Sequence, residues 1–467
     1  MRNLLIALML LVLCVPIMAQ EEEDTLYSTD QYQIPVPAGW QDNSTTEVVH
    51  FTNADGTANL YALSVEAEDV QSGITDALVQ IDSDFSAQPV QMTDVPLPGG
   101  VVWTQNVYAL PDGDLIAALG RVSDGWTYVI VLRAPQAGLA VEATTLNQVL
   151  LGHTIIGEVT VAVSLPDYIN PDAFNESETV VVSGEYELPA TLSMPVGDGP
   201  FPAVVIVHGS GPNDRDGTLG TNKPYRDIAQ GLASQGIAVL RYDKRTFVYR
   251  EPVAGFTIDD EVTNDALSAV QLLREMESVD PERIYVVGHS QGAMFAPRIA
   301  EQDGDLAGIV LLAGTPYAFD HVLSTQVNYL QSLDPQADVA GLDGLIVILD
   351  AIRNGADPVE AFGGDENQAI YWTSMMAYVP GDTASSLDLP MLVMQGERDY
   401  QATMTDFEAW QSQLGDRDNV TLISYPTLNH IFMALGDVDR MAIATDYSEG
   451  GFVDATVITD IVNWING

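Results

Sequence analysis

The chain is almost without cysteine: Cys14 stands alone among 467 residues. It lies in an N-terminal stretch that reads as a cleavable leader, so the mature chain would carry no thiol. That excludes disulfides, Cys-ligated zinc and a cysteine nucleophile, and leaves stability to packing. Basic charge is nearly as scarce. Lys223 and Lys244 are the only lysines, and 17 Lys plus Arg face 66 Asp plus Glu for a net charge of −49. A surface of that sign repels phosphates at short range, which excludes nucleic acid as a partner and reads as a solvated, aggregation-resistant exterior. Long apolar runs are missing too, save one. From Leu4 to Met18, behind Arg2, the chain is uncharged, but this run is shorter than the roughly 20 residues that span a bilayer. It ends at Ala19, before Gln20 and the acidic Glu21-Glu22-Glu23-Asp24, the pattern of an export signal over residues 1–19. Leu13 stands before Cys14, where a lipoprotein signal wants a small residue. The expectation is a secreted or extracytoplasmic protein with no membrane span after cleavage, anchored only if the leader stays uncut. What remains is ordinary: 46% hydrophobic and 18% charged residues, long enough for two or three domains of roughly 150 residues.

From 25 to 156 the chain shows short alternating runs at 32–37, 47–52, 58–65, 101–110, 115–122 and 126–132, punctuated by Asp55-Gly56, Asp112-Gly113 and Asp124-Gly125. Period-two alternation around Asp-Gly turns predicts antiparallel hairpins. Apolar spacings of three and four over 74–85 and 139–151 add two helices that would cover the sheet, giving an α+β sandwich domain. Its opening, Tyr32-Gln33-Ile34-Pro35-Val36-Pro37-Ala38-Gly39-Trp40, and its order of elements resemble small domains of the PsbP/Mog1 kind, a resemblance that names no chemistry. An extracellular partner for this domain would be of unknown identity. His50 and His153 have no second ligand type at metal spacing and read as structural.

Residues 157–180, with Pro166, Pro171 and several Asn, Asp and Glu, read as a linker. Beyond it the rhythm changes to near-continuous apolar runs at 203–207, 237–242, 284–287, 308–312, 391–394 and 420–425, alternating with helix-length segments. That predicts an α/β domain over 181–467, a doubly wound, mostly parallel sheet covered on both faces, with ligands beyond the carboxyl ends of its strands. The interval 316–387 is too long for a plain connection, and its helical stretches suggest a cap. Tyr371, Trp372, Met375 and Met376 there either line a pocket or pack the core.

The sharpest motif is Gly288-His289-Ser290-Gln291-Gly292, after a strand and before a helix. A strand reversing abruptly into a helix exposes the central hydroxyl, and the flanking glycines let the two elements approach, so Ser290 is the candidate nucleophile. A hydroxyl needs a base, and the base an orienting carboxylate. Asp399, in Gly396-Glu397-Arg398-Asp399, and His430, in Leu428-Asn429-His430, each follow a later strand, in the order Ser, Asp, His that such a fold needs to converge them at one edge. Glu397 is the rival acid. Two amides must face the developing oxyanion: that of Gln291, and that of Ser210 in the loop His208-Gly209-Ser210-Gly211-Pro212. A phosphate cradle would want Gly-Lys-Ser/Thr at its end, which is absent. Calcium-loop spacing is not completed around Asp112, Asp216 or Asp334, so no calcium loop is expected.

Residues from about 178 onward resemble an α/β-hydrolase of the dienelactone-hydrolase-related, bacterial serine esterase type. The resemblance is carried by the 208–216 loop, Arg241-Tyr242-Asp243-Lys244-Arg245, the Ser290 pentapeptide, Gly396-Glu397-Arg398-Asp399 and Asn429-His430. It implies cleavage of small-molecule carboxylic esters, without metal or organic cofactor, through an acyl-serine intermediate. A serine replaces the cysteine of the dienelactone enzymes, and Thr246 stands where glycine is usual. A peptidase or acyl-thioesterase would use the same triad, and a catalytically silent domain would serve as a binding module. Asp243 and Arg245 read as scaffold; Asp214, Arg215 and Asp216 either line the entrance or form an ion-pair cluster.

Overall fold

The computed structural model describes residues 26–467 other than 38, 46–47, 68, 98–100, 136–141, 157–164, 220–221, 250–254, 334–341, 437, 439, 444–445 and 448–449. The expected leader at 1–19 and the first third of the expected linker lie outside the described residues. The chain forms two compact units: Met1–Ser164 with Leu219–Thr221 and Tyr447–Gly450, and Leu165–Thr218 with Asn222–Asp446 and Gly451–Gly467.

The first unit holds strands β1 (Leu26–Ser28), β2 (Tyr32–Pro35), β3 (Gln41–Asp42), β4 (Val49–Thr52), β5 (Asn59–Glu66), β6 (Gln91–Leu97), β7 (Val101–Ala109), β8 (Asp114–Ser123), β9 (Trp126–Pro135) and β10 (Thr154–Ile155). Its helices are α1 (Val70–Ile81) and α2 (Ala143–Gly152). The larger sheet is antiparallel in the order β3-β4-β5-β9-β8-β7-β6, beside a small sheet β1-β2-β10. The β8–β9 hairpin shows why the sequence is legible here. Asp124 and Gly125 sit at φ 49° and 80°, the positive pair that a two-residue turn needs to match strand twist. His50 is hydrogen-bonded to Asn59 at 2.9 Å and stacked on Tyr61. His153 is stacked on Tyr32, and burial pushes its imidazole down to about 4.

The second unit holds β11 (Phe174–Ser183), β12 (Tyr186–Pro195), β13 (Phe201–Val207), β14 (Ala238–Tyr242), β15 (Val279–His289), β16 (Gly308–Leu312), β17 (Met391–Gly396) and β18 (Val420–Tyr425). Its helices are α3 (Pro224–Ser234), α4 (Asn264–Arg274), α5 (Gln291–Asp303), α6 (Phe319–Leu333), α7 (Leu342–Arg353), α8 (Glu366–Met376), α9 (Pro380–Ser386), α10 (Met404–Leu414) and α11 (Ala455–Asn466), besides two single turns, Arg245–Val248 and Pro358–Ala361. The sheet runs β11-β12-β14-β13-β15-β16-β17-β18, antiparallel through β11, β12 and β14 and parallel thereafter. Strand β16 is buried throughout, and β13 is buried after Phe201, as strands covered on both faces must be. One expectation needs correcting: the stretch read as linker up to 180 already contains most of β11. Its residues Asn175 to Thr179 are polar and largely solvent-facing because β11 is the sheet's edge, so composition alone imitates a linker.

Between β16 and β17 come α6, α7, α8 and α9, the expected cap interval rendered as helices. Strand β13 lies between β14 and β15, so the chain leaves it toward opposite sides and opens a crevice at its carboxyl end. The loop after β13 and the turn after β15 meet there. Among the described residues no helix is long and apolar enough to cross a membrane.

Candidate active site

Ser290 sits at φ 53° and ψ −115° between β15 and α5, in the positive-φ region that an L-residue adopts only under constraint. Its N–H donates to the Leu312 carbonyl at 2.8 Å and its own carbonyl accepts from Met294 N–H at 3.1 Å, which fixes the turn to β16 and to α5. A Cβ at Gly288 would fall onto the Gly292 carbonyl, and one at Gly292 onto the Val207 carbonyl. Both glycines are therefore required by backbone approach.

The loop after β17 supplies Asp399 and the loop after β18 supplies His430. His430 Nδ1 and Asp399 Oδ2 are 2.7 Å apart, and both side chains are buried. A carboxylate can only accept, so Nδ1 carries the proton and Nε2 keeps its lone pair. Asp399 Oδ2 also accepts from Gln395 Nε2 at 3.2 Å, and Oδ1 accepts from the N–H groups of Gln401 at 2.7 Å and Ala402 at 3.2 Å. Glu397 instead accepts from Ser424, so Asp399 is the acid that faces the imidazole. Asn429 Oδ1 accepts from Ile431 and Met433 N–H, each at 3.1 Å, and ties the His430 loop closed. No hydrogen bond joins the Ser290 hydroxyl to His430 here, a contact that catalytic pairs commonly tighten only once substrate is in place.

What ties the His430 loop to the serine turn and to the loop after β13 is His289. Gly209 N–H donates to the Tyr225 hydroxyl at 2.9 Å, that hydroxyl donates to His289 Nδ1 at 3.0 Å, and His289 Nε2–H donates to the His430 carbonyl at 2.9 Å. A carbonyl only accepts, so this chain permits one tautomer of a neutral ring. Burial, reinforced by His430, pushes His289 down to about 3, and burial with Lys244 nearby does the same to His208. His208 is packed between the Tyr225 and Tyr242 rings, with Nε2 buried and unpaired.

In the 208–212 loop, Gly211 takes φ 84°, and a Cβ on Gly209 would lie 3.3 Å from Ser290 Cβ. The loop thus passes directly over the serine. Among the described residues, neither the Ser210 nor the Gln291 backbone N–H has a hydrogen-bond acceptor. Two chambers share Ser210 and Phe319: one of about 180 Å³, lined by Ser290, Met294, Leu323, Leu342 and Ala402, and one of about 350 Å³, lined by Phe256, Glu261, Gln291, Tyr371, Trp372 and Met375. Met375 belongs to the core and Tyr371, Trp372 and Met376 pack against it, so the first three of the four, Tyr371, Trp372 and Met375, serve as both core and chamber lining.

Arg215 is paired with Asp243 at 3.1 Å, and Asp216 with Lys223 and Arg241 at 2.9 and 3.0 Å. Arg245 is paired with Asp265 in the interior. These residues form an ion-pair framework, and Arg241 with Lys223 holds Asp216 below the usual carboxylate range despite its burial. Sequence reasoning passed over Tyr225, Gln395 and Glu261, and saw Lys244 only as part of a motif. The one available signal was a lysine, in a chain with two, placed directly after a buried strand.

The sequence matches the model of the alpha/beta hydrolase family over residues 204–444. It is 40% identical over 303 residues to a protein of Thermotoga maritima called esterase EstD, covering 64% of this chain and 70% of that one. Solved structures with a similar fold include Est1E from Butyrivibrio proteoclasticus (17% identity, 62% of this chain, 99% of that chain, TM-score 0.40) and a dienelactone hydrolase from Anabaena variabilis (15%, 63%, 98%, 0.38). The chain belongs to the alpha/beta hydrolase family and is a hydrolase.

Proposed function

We propose that this protein is a serine-dependent carboxylic ester hydrolase acting through an acyl-serine intermediate, and that its leader sends it out of the cytoplasm. His430 Nε2 takes the Ser290 proton as Oγ attacks the ester carbonyl. The oxyanion rests on the Ser210 and Gln291 amides, and the leaving alcohol takes the proton back from His430. Water, deprotonated by the same Nε2, then releases the acid. Asp399 holds the ring in the required tautomer and stabilises it when charged. The reading rests on the buried 2.7 Å His430–Asp399 contact beside a serine held at positive φ. A relative called an esterase adds support. Among the described residues neither chamber is lined by Arg or Lys, which favours esters that carry no anionic group, of a size that a few hundred Å³ accepts.

The test is a screen of the purified protein against ester, thioester and amide substrates of graded size, with fluorophosphonate labelling. Ester turnover is expected to exceed the other two, and Ser290→Ala to lose the label and roughly 10⁴-fold or more of kcat. A label that survives the substitution removes Ser290 from the role. N-terminal sequencing of exported protein checks cleavage after Ala19.

A further inference from the structure

Lys244 follows β14 and is 2% exposed, beside Glu261 at 4%. A buried ammonium has three protons to place. Here Nζ donates to the Gly209 carbonyl at 2.9 Å and to Gln291 Oε1 at 2.8 Å, and pairs with Glu261 Oε1 at 3.0 Å. Glu261, in the π-helical turn Asp259–Thr263 that precedes α4, also accepts from Tyr371 at 2.5 Å and Thr246 at 3.1 Å. The first two acceptors are the informative ones. Gly209 C=O and Ser210 N–H are opposite ends of one peptide plane, and Gln291 owns the other amide assigned to the oxyanion.

We propose that Lys244 is the positioning residue of the oxyanion site: one ammonium fixes the 209–210 peptide and the first residue of α5, so that both amide hydrogens converge on one point. This rests on the esterase reading above. An ammonium at the carbonyl end of a peptide draws electron density toward oxygen and leaves the N–H at the other end a stronger donor. Asn213 Nδ2 supports the same carbonyl at 3.2 Å, and Tyr225 holds the preceding peptide through Gly209 N–H. The plane can therefore turn only if Lys244 lets go. Glu261 balances the charge, so the buried ammonium is not left unpaired. The effect is confined to the transition state, because a ground-state carbonyl draws little from these donors.

The test compares wild type with Lys244→Met/Glu261→Gln, which removes both charges together, and with Gln291→Met, which cuts one tether and keeps the backbone amide. On the best ester, the paired variant is expected to lose roughly 10- to 100-fold in kcat with KM within about threefold. Affinity for a trifluoromethyl ketone of the same acyl chain should fall by the same factor. Gln291→Met should move both quantities the same way by a smaller factor, and it decides the matter if the paired variant gives no cooperative melt. Wild-type kcat and ketone affinity in a folded variant would overturn the role of Lys244 while leaving the esterase reading intact. A wild type that neither hydrolyses esters nor takes fluorophosphonate on Ser290 would overturn the esterase reading, and this inference with it.

Discussion

Asp399 has no lone pair to spare: His430 and Gln395 meet one oxygen, and two loop amides meet the other. Asp399→Asn keeps the shape but presents an amide where only an acceptor serves, so the imidazole must flip its tautomer or lose the contact. Ester kcat should drop roughly 10⁴-fold with little change in melting temperature, and unaltered turnover would show that the carboxylate is dispensable. His208 and His289 give a second consequence. Unfolded imidazoles take up protons near pH 6.5, whereas these two resist until about 3. The unfolded chain therefore binds more protons across that window. Stability present above pH 6.5 is lost as pH falls toward 3, by up to about 1.4 kcal/mol per pH unit for each ring. Urea unfolding at pH 7, 6, 5 and 4.5 should give a shallower slope for His289→Gln than for wild type, and parallel slopes would contradict this.

The turn that carries Ser290 depends on two close backbone approaches that no side chain can share. In Gly288→Ala the new methyl meets the Gly292 carbonyl and the Ala293 nitrogen, backbone atoms with nowhere to move, so a destabilisation of about 3 kcal/mol is expected, at the upper end of ordinary overpacking. Denaturant midpoints measure it, and a neutral substitution would mean that the strand and helix are not held this tightly. Such elements are legible in sequence because their constraints are local: Gly-x-Ser-x-Gly between an apolar run and a helix, or Asp124-Gly125 between alternating strands. Ser290, Asp399 and His430 could be singled out as candidates because each sits just past a recognisable strand. Lys244, Tyr225 and Glu261 could not, since what defines them is a partner 35, 64 or 110 positions away and no periodicity encodes that. Strand β11 was misread for a related reason. Its pairing with β12 makes it a strand, while its exposed polar residues look like loop.

At the scale of the whole chain, many of the few cations are engaged in ion pairs. In the second unit Arg215, Arg241, Lys244, Arg245, Arg274 and Arg298 each pair with a carboxylate. With 17 cations against 66 acids, most carboxylates must face solvent without a positive neighbour. The folded chain is consequently self-repelling at neutral pH, and compaction brings those charges closer than the unfolded state does. Mobile ions weaken that repulsion as the Debye length shrinks from about 30 Å at 0.01 M to about 8 Å at 0.15 M, while pairs inside the protein are screened much less. Salt should therefore stabilise: at pH 7 the melting temperature is expected to climb by several degrees between 10 and 150 mM NaCl (about 30 to 8 Å of screening) and then flatten. Choline chloride should match sodium chloride at equal ionic strength, because the effect is screening and not site occupancy. A melting temperature that falls with salt would mean that the ion pairs govern stability and the acidic exterior does not.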